Sequence, residues 1–132
     1  MMISTKGRYA LRVMIDLAEH RDDGYIPMKN VAQRQDISLK YLEKILPGLV
    51  AEGLVEGVHG KGGGYKLSKD PSEITAAEII RVSENSIAPV ACLEEGASAC
   101  EKADCCKTLP MWIGLNKVVE DYLTGITLDT LI

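Results

Sequence analysis

Between residues 28 and 67 the chain lays down a short helical stretch, a tight turn, an amphipathic helix and a hairpin with a glycine-rich tip, and few folds accept that order. The stretch 28–35 presents Val31 and Ala32 to a core. QDIS follows, where Ser38 suits the N-cap of LKYLEKILPGLVAEG, because its hydroxyl can accept from a backbone N–H of the first turn. In that helix Leu42, Ile45, Leu46, Leu49 and Val50 form one apolar face. Lys40, Glu43 and Lys44 fall opposite, with Tyr41 at the border. Pro47 removes a backbone donor, so a kinked or shortened helix is expected, and Gly53 is placed as its stop. LVEGV and YKL then alternate as two short strands around HGKGGG.

Upstream, residues 5–21 are expected as a helix with Leu11, Met14, Ile15 and Ala18 on its core face and Arg12, Asp16 and Glu19 on another. Gly24 breaks it within RDDGYIP, and Pro27 suits the first turn of the next helix. Three short helices followed by a hairpin give the order of a winged helix-turn-helix domain. The fold expected is therefore mainly α with a small β-hairpin. SKDPSE is a linker. A fourth helix over 76–84 opens on a capping box of Thr75 with Glu78 and a staple of Ile74 with Ile79. A last helix begins at 109 or 110, with Leu115, Val118, Val119 and Tyr122 at helical spacing and Trp112 and Ile113 adding bulk. The expected division is a winged domain over 1–68, then a linker helix, a cysteine-rich loop and a terminal helix over 69–132.

Charge agrees with that division. Residues 1–68 carry a net +2 and residues 69–132 a net −6, which together give the formal charge of −4. Any phosphate contact is expected from the first half. No apolar run approaches the roughly 20 residues that span a bilayer, and MMISTKGRYALRV lacks the apolar core of a secretory signal. A cytoplasmic protein without a membrane partner is expected. With two distant histidines and no paired acids in an evident pocket, no enzyme is expected. HGKGGG lacks a GK[ST] ending and precedes a strand, which argues against a nucleotide phosphate loop.

All four cysteines lie in CLEEGASACEKADCC, as Cys92, Cys100, Cys105 and Cys106. Neither the paired C-x2-C of zinc sites nor the plant-type ferredoxin spacing is present. Vicinal Cys105 and Cys106 cannot pair without strain, and a reducing compartment disfavours disulfides. Iron–sulfur cluster, zinc and unligated thiols all stay open on spacing alone.

The start STKGRYALRVMIDLA, the block ISLKYLEKIL with its later GLV, the wing GKGGGYKL and the late cysteines followed by LPMW resemble, across essentially the whole chain, the IscR/NsrR family of winged-helix regulators in the Rrf-two superfamily. The resemblance implies a homodimer in which each subunit reads half of a palindromic site in double-stranded DNA, often as a repressor. It implies DNA contacts from Lys6, Arg8, Ser38, Leu39, Lys40, Tyr41, Glu43, Lys44, His59 and Lys61. It further implies a C-terminal dimerisation helix that buries Trp112, Leu115, Val118, Val119 and Tyr122. An iron–sulfur cluster (2Fe–2S or 4Fe–4S) held by Cys92, Cys100 and Cys106 completes the picture, with Cys105 a possible fourth ligand.

This chain departs from the family in three places. Leu109 stands where IscR-like members carry a ligand His, Arg8 stands near where NsrR-like members carry a ligand Asp, and His59 replaces an Arg before the glycine tip. His20, at the end of the first helix, is expected as a partner of the helix dipole. Two rival expectations remain. One is a cluster-free regulator acting through a protein partner or thiol oxidation; the other is a metal-binding interaction module without DNA binding.

Overall fold

Helix α1 (Thr5–Glu19) starts on Ser4, whose side chain accepts from Gly7 N–H, and ends on His20. This is two residues short of the expected end. In the computed structural model, which describes residues 3–84, 86–94 and 107–132, its buried face is Ala10, Val13, Met14, Leu17 and Ala18. Leu11 and Ile15, expected at the centre of that face, lie half-buried at its margin. His20 Nδ1 lies 2.8 Å from the Asp16 carbonyl, so a proton on Nδ1 donates to a helix-end oxygen, as a dipole partner should.

The larger correction concerns Asp16. Expected on a face other than the core one, it is only 1 % exposed. A buried carboxylate needs compensation, and helix α2 (Met28–Gln35) supplies it. Arg34 donates from Nε at 3.0 Å and from a terminal nitrogen at 2.6 Å, and Gln35 Nε2 donates at 3.0 Å. This clamp sets the angle between α1 and α2.

Asp36 ends α2 in the left-handed conformation (φ 53°), and Ile37 N–H returns to the Ala32 carbonyl at 3.1 Å. Ser38 then caps α3 (Leu39–Ala51), accepting from Tyr41 N–H at 3.1 Å. Leu42, Ile45, Leu46 and Leu49 are buried as expected, but Val50 is 43 % exposed. The chain reverses at Gly53 (φ 71°), and Leu54 takes the core position beyond the helix. Pro47 does not shorten α3, which continues to Ala51. One lost backbone bond is outweighed by the buried residues on both sides of it.

Strands β1 (Val55–Val58) and β2 (Gly64–Leu67) pair antiparallel, with Val55 opposite Leu67 and Val58 opposite Gly64. The stretch before α2 adds a further rung, since Ile26 and Tyr65 exchange backbone bonds of 2.8 and 2.9 Å. Gly64 permits that approach: a Cβ there would lie 2.3 Å from the Ile26 carbonyl oxygen. Gly64→Ala is therefore expected to cost about 2 kcal/mol by overpacking, read as a lowered midpoint in urea unfolding.

The stretch expected as a linker is structured: Asp70 accepts from Ser72 N–H at 2.9 Å, and Pro71 is buried. Helix α4 (Ala76–Ser83) begins on Thr75, whose Oγ1 accepts from Glu78 N–H at 3.2 Å. It packs along α1, and Gly48 of α3 lets Val82 come close. Residues 74–76 pair with 126–128, which buries Leu128. Ile74, Ile79 and Leu128 thereby join one core with the residues of α1 to α3. Helix α5 (Leu109–Thr124) lies against α4, where Arg81 and Glu120 pair, and it buries none of its own residues. No helix among the described residues is long and apolar enough to cross a membrane.

Candidate nucleic-acid interface

The first two turns of α3 turn one face to solvent. Ser38, Leu39, Lys40, Glu43 and Lys44 are all exposed, Leu39 at 43 % despite its apolar side chain. The face has what direct readout of a groove needs: cations for phosphates and base edges, and an aliphatic group for a thymine methyl. Tyr41 is half-buried, its ring edge-on to Tyr9 with centroids 5.3 Å apart. It joins α3 to α1.

A second grip was not legible in the sequence. Arg12 lies 5.2 Å over the Tyr9 ring, donates from Nε to Gln35 Oε1 at 3.3 Å, and contacts the Gln35 carbonyl. It holds the turn that aims α3. Lys6 and Arg8 sit on the first turn of α1, Lys6 half-exposed and Arg8 exposed, with Arg8 donating to Thr5 Oγ1 at 3.1 Å.

At the wing, His59 and Lys61 are exposed at the tip. Lys66 is held lower down, 3.3 Å from its cross-strand partner Glu56 and 4.8 Å over the Tyr25 ring. Lys61 is thus the outermost cation of the hairpin.

The Asp16 carboxyl supports this assembly electrostatically. Burial alone would raise its pKa, but the hydrogen bonds from Arg34 and Gln35, with the charges of Arg34 and His20, outweigh burial and hold it below the ordinary 3.8. It stays ionised at neutral pH and keeps Arg34 and Gln35 in place.

Cys92 lies in a short 3-10 turn, Ala91–Leu93, as a free and exposed thiol. Cys100, Cys105 and Cys106 lie outside the described residues. Among the described residues no group of three metal-binding side chains is assembled.

On α5, Leu115, Val118 and Tyr122 are exposed, while Trp112 and Val119 are partly covered by their own chain. Met111, not singled out in the sequence, extends the exposed stripe. Met111, Leu115, Val118 and Tyr122 follow steps of four, three and four, which place them on one helix face.

A family model described as "Rrf2: Iron-dependent Transcriptional regulator" matches residues 3–132. The chain is 39 % identical over 132 residues to the HTH-type transcriptional regulator IscR of Photorhabdus laumondii, covering all of this chain and 79 % of that protein. Among solved structures it resembles CymR, the global cysteine regulator of B. subtilis, with a TM-score of 0.83 at 38 % identity, over 99 % of this chain and 95 % of that one. It also resembles T. potens IscR, with a TM-score of 0.75 at 33 % identity, over 99 % and 85 %.

Proposed function

The chain belongs to the Rrf2 family of transcriptional regulators, DNA-binding proteins rather than enzymes, and from that premise we propose a homodimer that reads a palindromic operator under control of an iron–sulfur cluster. Residues 1–68 serve as the reading head and 69–132 as the regulatory and dimerising part. The observation that carries the reading is the uncovered N-terminal face of α3, together with the exposed wing tip.

In this reading the first turns of α3 enter the major groove, with Lys40 and Lys44 on phosphates or base edges and Leu39 against a methyl group. Lys61 reaches phosphate or minor groove from the wing, and Lys6 and Arg8 contact the backbone. His59 offers an imidazole where an arginine would offer the forked donors of a guanidinium, and so contributes less to a phosphate contact. Glu43 would accept from a cytosine amino group.

The donor set fits a cluster. Thiolates are the usual ligands of iron–sulfur centres, and Cys92 is free and exposed. Cys92, Cys100 and Cys106 would hold the group, with Cys105 the candidate fourth ligand. When bound, it supplies reversible redox and ligand-exchange chemistry. The segment between α4 and α5 would then bias the two reading heads, and a coupling of about 1–3 kcal/mol changes DNA affinity roughly 5- to 150-fold. The exposed Cys92 thiol also suits a second reading, a regulator answering directly to thiol oxidation.

The reading head is tested by salt. The logarithm of affinity should fall linearly with the logarithm of salt concentration, with a slope of about 0.9 per phosphate contacted. Lys40→Ala and Lys44→Ala should each weaken binding and reduce the slope by about one. Salt-independent binding, or variants that bind like the wild type, would rule out this face as the interface.

A further inference from the structure

We infer that Glu84 is a positioning residue for DNA contact, the group through which the body of the protein holds the first turn of α1, and with it Lys6 and Arg8, in place. The inference rests on the reading above, in which those two cations meet the DNA backbone.

Glu84 immediately follows α4. Its Oε1 accepts from Ser4 N–H at 2.7 Å and from Ser4 Oγ–H at 2.6 Å, across 80 residues of sequence. The same Ser4 Oγ accepts from Gly7 N–H at 3.2 Å, so one serine caps α1 and ties it to Glu84. A carboxylate at a helix N-terminus also meets the positive end of the helix dipole.

Gly7 belongs to the same arrangement. A Cβ at that position would lie 2.6 Å from Glu84 Oε1 and 3.1 Å from Ile3 Cγ2. The first turn is thus pressed directly onto the carboxylate, one residue from each of Lys6 and Arg8. On its other side Glu84 lines a cleft of about 220 Å³ with Leu93, the neighbour of Cys92, and with Asn116 and Glu120 of α5. The residue therefore sits where the reading head, the cysteine-bearing segment and the last helix meet.

A loose first turn no longer holds Lys6 and Arg8 at the phosphates, so binding loses their two contacts although both side chains are still present.

The test is a mutant cycle on the full chain, titrated with an operator-bearing duplex across a salt series. Glu84→Ala should raise Kd about 10-fold and lower the salt slope by about two, one for each cation, at about 0.9 per phosphate. Arg8→Ala, costly in the wild type, should cost less than about 2-fold in the Glu84→Ala background, since coupled residues are non-additive. Glu84→Gln, which keeps an oxygen able to accept both bonds, should bind within about 3-fold of wild type by the same logic.

Gly7→Ala provides a variant that needs no loss of fold, because alanine favours helix. Its methyl must displace the carboxylate, so it should reproduce the weakened binding with its melting temperature kept. Wild-type affinity in both Glu84→Ala and Gly7→Ala, or an Arg8→Ala penalty equal in the two backgrounds, would overturn the inference. A wild-type protein with no salt-sensitive DNA binding would instead overturn the reading on which it rests, and the inference with it.

Discussion

Val118→Asp should turn the proposed dimer, of about twice 14.4 kDa, into a monomer of that mass and cost DNA affinity 100-fold or more. Val118 is 64 % exposed on α5 and Tyr122 68 %, on the face shared with Met111 and Leu115. A 16-residue helix that fully buries none of its residues, yet keeps an exposed apolar stripe, gains most by covering that stripe. In an isologous interface each residue meets the two-fold equivalent of the same face. One aspartate per chain therefore places two carboxylates in a single apolar contact, each without a partner. Losing the dimer removes the second reading head, and binding the second half-site ceases to be intramolecular. Light scattering gives the mass, and a palindromic duplex compared with its half-site gives the affinity. The variant should bind both duplexes alike.

Asp16→Ala should damage both the stability of the reading head and the aim of α3. It leaves Arg34 and Gln35 facing a position that is 1 % exposed in the wild type. Breaking a buried pair costs about 3–5 kcal/mol when the orphaned charge stays buried. Arg34, however, keeps 35 % of its side chain in solvent. Part of that penalty is relieved, and about 2 kcal/mol is expected. Chemical denaturation should show it as a lower midpoint with an unchanged slope.

The pH dependence follows in sign. The folded-state carboxyl titrates below its ordinary 3.8. The stability it contributes is present above that value and is lost as pH falls through the lower folded pKa. Asp16→Asn should be less stable at neutral pH and flatter in that acid range. Because the clamp also aims α3, DNA affinity should fall with stability in both variants.

Local chemistry explains what could be foreseen. The Ser38 cap, the turn after α2 and the two strands depend on residues within four or five positions, and each stands where its pattern places it. Asp16 could not be placed that way, because its burial depends on Arg34, eighteen residues later. A signal was present: within VMIDLA the acid has apolar neighbours on both sides, unusual for a solvated face. Val50 continues the apolar period of α3, but the reversal at Gly53 hands its place to Leu54. The tie from Ser4 to Glu84 joins residues 80 positions apart and leaves no periodic trace. For the cysteines, spacing states the donor type and little else.

If the cysteine segment governs DNA affinity through a cluster, loading that segment should change how tightly the protein holds its operator. Affinity for an operator duplex is measured anaerobically at fixed salt, before and after reconstitution with iron and sulfide, in the wild type and in Cys92→Ser. The wild type should change roughly 5- to 150-fold, with visible absorbance and near-stoichiometric iron, and Cys92→Ser should change little. A colourless, iron-free protein after reconstitution, or the same affinity before and after, would contradict it.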